Sequence, residues 1–201
     1  GDVGAFGLLY QWGRKDPFLG SSSISESLLA VSTGTWNITS GGSTAKSETN
    51  PMTFYTQMYL PDGSWMPTKT AYDPCPAGWR VPEGGKNGVW AKASGISDLA
   101  LLHLSFDYEN YGINFAGIFS DAECVWYPTT CCRDYSNGTF SDVHWSGSYW
   151  SCSPSDRFYE NAKTLYFNGN GDVSPSDYYD TVRACGLPVR CLKETDEIAE
   201  P

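Results

Sequence analysis

Charge is what this chain has least of. Only 18% of its 201 residues are Asp, Glu, Lys or Arg, and the 13 basic ones are scattered among 23 acidic ones, for a net charge of −10. Binding to nucleic acid rests on clustered Lys and Arg that displace counterions from phosphates. With no basic stripe, nucleic acid is excluded as a partner and an anionic membrane surface is disfavoured. No apolar run approaches the roughly 20 residues a helix needs to cross a bilayer, so no transmembrane segment is expected. There is no Cys-x-x-Cys pair, and the two histidines, His103 and His144, lie far apart. No metal-ligand spacing emerges from these residues, and no metal or cofactor is expected. A glycine-rich phosphate loop and a spaced pair of acid–base carboxylates are also missing. Nothing at Gly1 reads as a leader peptide, as expected of a mature or truncated chain.

What the chain has instead is aromatic residues, glycine and cysteine. Aromatics make up 15% of it, with 8 Trp and 13 Tyr beside 21 Gly. Seven cysteines in a domain of this size point to an oxidising compartment and disulfides, with at least one thiol left over. Few segments carry the i, i+3, i+4 spacing of a surface helix; short aromatic and β-branched runs between Gly, Asn, Asp, Ser and Pro read as strands and turns. Phe6–Trp12 reads as a first strand, closed by a polar turn at Arg14-Lys15-Asp16-Pro17. Residues 21–50, rich in Ser, Thr and Gly, read as a long surface excursion with one strand in "GTWNITS". The best helical candidate is residues 88–106, in pieces, with Ser97 or Asp98 capping a helix through Leu99, Leu101, Leu102 and Leu104 and His103 partly buried in that apolar run. "YGINFAGIF" alternates as a strand, and residues 120–148 read as a second excursion carrying three cysteines. "SYWSCSP", "AKTLYFNGNGDVSP" and "VRACGLPVRCLKE" read as successive antiparallel strands, with a hairpin at "NGNG". One domain is expected over residues 1–194, with an acidic, disordered tail at 195–201.

Within this pattern "YDPCPAGWRVP" (72–82) stands out, because three prolines stiffen the backbone on both sides of Cys75. Together with "GLLYQWGRKDPF", "YWSCSP" and "GLPVRCLKE", in that order, it resembles the Fibrobacter succinogenes major paralogous domain family and related fimbrillin-associated modules of Bacteroidetes. The resemblance spans about Phe6 to Glu194. It implies an α+β, C-type-lectin-like fold: a small twisted antiparallel sheet, paired N- and C-terminal strands, one or two short helices and long loops. It implies a secreted or outer-surface location. It also implies a Cys75–Cys191 disulfide. Cys152 and Cys185 depart from the family pattern on strands that the fold makes neighbours, which implies a second pair, Cys152–Cys185. Cys124 is then expected to pair with Cys131 or Cys132.

The same broad fold supports formylglycine-generating enzymes, but a reactive thiolate needs electropositive surroundings, and Arg133 alone stands near Cys131 and Cys132. Catalysis is therefore not expected. The Glu-Pro-Asn, Gln-Pro-Asp and Trp-Asn-Asp motifs of calcium-dependent lectins are absent, and Asp172 and Asp177 are explained more simply by a hairpin turn. Trp12, Trp79 and Trp150 are expected in the core. The second excursion interleaves aromatic and polar side chains, and aromatic faces beside polar groups stack on sugar rings or anchor proteins. The expected ligand-binding residues are Trp126, Tyr127, Tyr135, Asp142 and Trp145, taking a glycan or a surface protein without calcium. The rival expectation is a ligand-free structural module of a fimbria-like assembly that positions a neighbouring domain.

Overall fold

The computed structural model describes residues 7–21, 30–35, 48–56, 64–95, 102–115, 125–175 and 179–194. Over these residues the chain is mostly β, with short strands and one six-residue helix, α1 (Val89–Ser94). A first five-stranded sheet has the order β11 (Phe140–Ser141), β10 (Cys132–Arg133), β16 (Gly186–Pro188), β1 (Leu8–Gln11), β2 (Phe18–Leu19). It joins both ends of the described chain, because β1 pairs antiparallel with β16 through Leu9–Pro188, Tyr10–Leu187 and Gln11–Gly186. A second sheet has the order β12 (Ser146–Pro154), β13 (Asn161–Asn168), β14 (Asp172–Ser174), β6 (Leu102–His103), with β15 (Asp180–Val182) also on β13. Smaller sheets pair β3 (Ser32–Thr35) with β4 (Thr53–Thr56), β5 (Trp79–Arg80) with β17 (Leu192–Lys193), and β7 (Phe106–Asp107) with β8 (Gly112–Phe115) and β9 (Val125–Pro128).

The central strand β13 is buried on both faces, including its polar residues Lys163, Thr164 and Asn168. Ala162 joins a cluster with Trp12, Trp65, Val81, Trp150 and Leu187, while Leu165 and Phe167 join another with Trp90, Ile113, Tyr127 and Tyr149. A third cluster, Leu9, Phe18, Phe54 and Cys131, lies on the other side of the first sheet. The indole N–H groups of the core are satisfied: Trp12 donates to Ser151 O at 2.8 Å and Trp150 donates to Tyr10 O at 2.7 Å.

The polar turn expected at Arg14-Lys15-Asp16-Pro17 joins β1 to the antiparallel β2, with Lys15 and Pro17 exposed, but Gln11 and Arg14 at its start form a buried network. Gln11 donates to Tyr55 O and Ala184 O at 2.8 and 2.7 Å, and accepts from Tyr55 N at 3.0 Å. Arg14 donates to Gln11 Oε1 at 2.8 Å, to Thr53 O at 2.9 Å and to Pro51 O at 2.9 Å. The "QWGR" stretch thus ties β1 to β4 and to the turn before β16.

Four other expectations change. Of the helical pieces expected in 88–106 the first is present as α1, which ends at Gly95 with a left-handed cap at φ 68°, but the piece through Leu102 is not helical there, since Leu102–His103 pairs with Val173 and Asp172 as strand. The proposed caps, Ser97 and Asp98, lie outside the described residues. His103 is 75% exposed with Nδ1 3.3 Å from Asp172, because its strand lies at the sheet edge. Trp79 is 40% exposed on the two-stranded β5–β17 pair. The described part of the second excursion is structured, with β9 on β8 and β10 inserted between β11 and β16. Of "GTWNITS" only Gly34 and Thr35 are described, and both lie in β3; the acidic tail and Asp177 lie outside the described residues.

Candidate functional site

The rigid block around Cys75 is a structural staple. Cys75 and Cys191 are joined by a disulfide across a sequence separation of 116. Asp73 sets the geometry: its Oδ1 accepts from Cys75 N at 2.8 Å and from Lys69 Nζ at 3.0 Å, and its Oδ2 accepts from Val81 N at 2.9 Å. The prolines fix the chain direction, and the carboxylate closes the loop on itself.

The second expected pair is not formed. Cys152 and Cys185 are unbridged thiols. A register shift in the β12–β13 ladder between Trp150 and Pro154 spans Cys152. Its backbone N–H donates to Pro82 O at 2.9 Å. The Cys152 thiol lies near Glu83 and Arg80, and burial, helped by Glu83, pushes it up to about 12. Cys185 instead lines the same cavity as Cys132.

The expected binding residues are split between separate places. Tyr127 is a core residue: it packs edge-on against Phe115 and Tyr149, its hydroxyl accepts from Trp90 Nε1 at 3.0 Å, and Arg190 stands 4.5 Å from its ring centre. Burial raises its phenol above the ordinary range. Trp126, the next residue of β9, is half-buried against Gly112, leaving no room there for a larger side chain. Trp145 is 49% exposed but lies flat against Gly169 in the β13–β14 turn.

Tyr135 and Asp142 do come together. They line a cavity of about 380 Å³ where β10, β11 and β16 of the first sheet meet β12, β13 and β15 of the second. Its wall carries the carboxylates of Asp134, Asp142 and Asp180, the rings of Tyr135, Tyr166 and Tyr179, and five hydroxyls from Thr130, Ser141, Ser146, Ser148 and Thr181. Cys132, Val182, Cys185 and Leu187 complete it, and no Lys, Arg or His is among the lining residues. Tyr166 and Tyr179 lie 4.4 Å apart, ring centre to ring centre, at 47°.

Local backbone geometry aims these groups. Asp142 sits at φ 58° in the turn between β11 and β12, a left-handed conformation that Asp tolerates better than most residues. His144, at φ 66° in the same turn, stacks on Tyr111 with ring centres 4.5 Å apart. Asp134 accepts from Ser136 N at 2.8 Å, which shapes the loop that presents Tyr135, 40% exposed. Asp180 is the most enclosed of the three acids, its side chain 4% exposed. Its Oδ2 accepts from Ser155 Oγ at 2.5 Å and faces Arg157 at 3.4 Å, while Oδ1 is buried with no hydrogen-bond partner among the described residues. Burial raises the Tyr166 phenol, and nearby Tyr179, Asp142 and Asp172 add to the effect.

The described lining residues offer many acceptors, several hydroxyls and ring faces and no basic side chain, while Arg157 pairs with Asp180 from outside the lining. Among the described residues no three His, Cys, Asp or Glu side chains converge as a metal ion requires, and no helix is long and apolar enough to cross a membrane. Composition pointed to Tyr135 and Asp142 through their place in an aromatic-polar segment. It gave no sign of Tyr166, Tyr179, Asp180 or Thr181, which reach the cavity only because β13 and β15 pair beside it. Comparison with family models, curated proteins and solved structures finds no match to this chain.

Proposed function

We propose that the protein is a secreted or cell-surface binding module of C-type-lectin-like fold, whose polar cavity takes a glycan without calcium. The observation that carries this reading is the set of residues lining the cavity: three aspartates, five Ser or Thr and three tyrosines, with no basic residue among the described ones. Such a wall disfavours anions. It matches a neutral polyol, whose hydroxyls donate to carboxylates while its C–H faces lie on aromatic rings. The joining of β1 to β16 supports the fold assignment, as does the link between Cys75 and the chain's far end.

The test is a glycan array probed with the wild-type protein, Asp180→Asn and Tyr135→Ala, each in calcium and in chelator. Asp180→Asn keeps the shape while weakening acceptance; Tyr135→Ala removes an exposed ring with no core role. Specific binding that survives chelation and falls at least tenfold in both variants, with melting curves still cooperative, is the expected result. Binding abolished by chelator would overturn the calcium-free reading. Silence across a broad array would favour a ligand-free structural module of a fimbria-like assembly.

A further inference from the structure

Cys132 and Cys185 form the floor of the cavity, and their placement follows from strand register. Arg133 of β10 pairs antiparallel with Gly186 of β16. The residues before each therefore lie on a diagonal, Cys132 opposite Leu187 and Cys185 opposite Asp134. Because side chains alternate along a strand, Cys132, Cys185 and Leu187 share one face, and all three line the cavity. Cys131 takes the other face, where it packs with Leu9, Phe18 and Phe54 and accepts from Ser21 N at 3.2 Å. A Cys131–Cys185 contact is thereby excluded.

Diagonal partners on a regular ladder stand about 7–8 Å apart, somewhat beyond the usual reach of a disulfide. Cys185 is not held to that spacing, because it lies in the turn before β16, with its N–H donating to Val182 O at 2.9 Å. Both side chains line the same cavity, and Cys185 is the first cause of the raised Cys132 thiol pKa. The cavity also opens a path for a small reagent to both sulfurs.

From this geometry we infer that Cys132 and Cys185 are a second disulfide site, bridging β10 to β16 beneath the cavity when the chain folds in the presence of a disulfide oxidant. One thiolate attacks a sulfur of the external disulfide, forming a mixed disulfide and releasing a thiol. The other cysteine sulfur then attacks the mixed disulfide and releases the second thiol. The two cysteines are oxidised, one external disulfide is reduced to two thiols, and the two cysteine protons leave on those thiols. In the folded, reduced protein the Cys132 thiol is held protonated by Cys185, by burial and by the nearby charge of Asp142. Exchange is therefore slow once the fold has closed, and the bridge forms during folding. It would fix the loop of Asp134 and Tyr135 against the strand of Asp180 and Thr181, the two facing walls of the cavity.

The test is oxidative refolding of the full chain in reduced and oxidised glutathione, followed by acid quench, alkylation under denaturing conditions and tryptic mapping. Cys185 falls alone in the peptide Ala184–Arg190, and Cys152 lies in a different peptide from Cys132. The Cys75–Cys191 link reports correct folding. The expected product joins Ala184–Arg190 to the peptide ending at Arg133, two hydrogens lighter than the dithiol and separated by dithiothreitol. It persists in Cys131→Ala and disappears in Cys132→Ala. A Cys152–Cys185 link, or alkylation of both Cys132 and Cys185 in protein carrying the Cys75–Cys191 link, would overturn the inference.

Discussion

Asp73 carries more of the fold than its single charge implies. Its two oxygens accept from the backbone of Cys75 and Val81, and from the ammonium of Lys69. Replacing it by Ala leaves two buried N–H donors without acceptors, each costing about 1–3 kcal/mol. Asp73→Ala is expected to lower stability by roughly 3 kcal/mol in chemical denaturation, and Lys69→Ala, which takes the ammonium away from Asp73 Oδ1, Cys75 O and Trp79 O, should cost about 1–3 kcal/mol. The stiffness of this block was legible in "YDPCPAGWRVP", because proline restricts the chain wherever it stands. The role of Asp73 was not legible, nor was that of Gln11 and Arg14. A polar residue between turn formers reads as solvated, and only tertiary pairing reveals which carbonyls and amides surround it. Arg14 is 1% exposed for that reason.

Among the elements, the β13–β14 hairpin was the most readable, since "NGNG" between alternating runs specifies a tight turn. Asn168 Oδ1 accepts from Asn170 N at 2.9 Å and from Asp172 N at 3.2 Å, and Gly171 follows at φ 83°. A Cβ at Gly171 would also run into the carbonyl of Leu104, which β6 holds against the turn. Gly171→Ala is therefore expected to cost about 1–3 kcal/mol, from left-handed strain plus a backbone clash, and to lower the melting temperature by several degrees. Gly7→Ala, at φ 66° with open space around it, should cost only the strain. The segment 88–106 misled because Leu spacing suits a helix, while the edge of β14 offers Leu102 and His103 a ladder instead. Tertiary pairing of this kind overrides local propensity. The second excursion misled for a related reason. Strands of two residues such as β10 and β11 leave no periodicity to detect, yet β10 fills the space between β11 and β16 and thereby creates the cavity.

The whole molecule is closed by its ends. β1 pairs with β16, β5 pairs with β17, and the Cys75–Cys191 bridge sits beside the second of these contacts. A bridge over 116 residues restricts the unfolded chain by roughly 4–5 kcal/mol on chain-entropy grounds. Cys191→Ser is accordingly expected to lose up to about that much stability in urea unfolding, and a loss below about 1 kcal/mol would mean that strand pairing alone fixes the ends. Closure also sets the cavity, because β16 and β15, from the end of the chain, form two of its walls beside β10 and β12. The crystal structure of the protein with a glycan that it binds in chelator tests the central claim most directly. Sugar hydroxyls within hydrogen-bond distance of Asp180 and Asp142, with a ring face against Tyr135 or Tyr179, are the predicted result. A sugar seated on Trp126 or Trp145 with the cavity empty would contradict it.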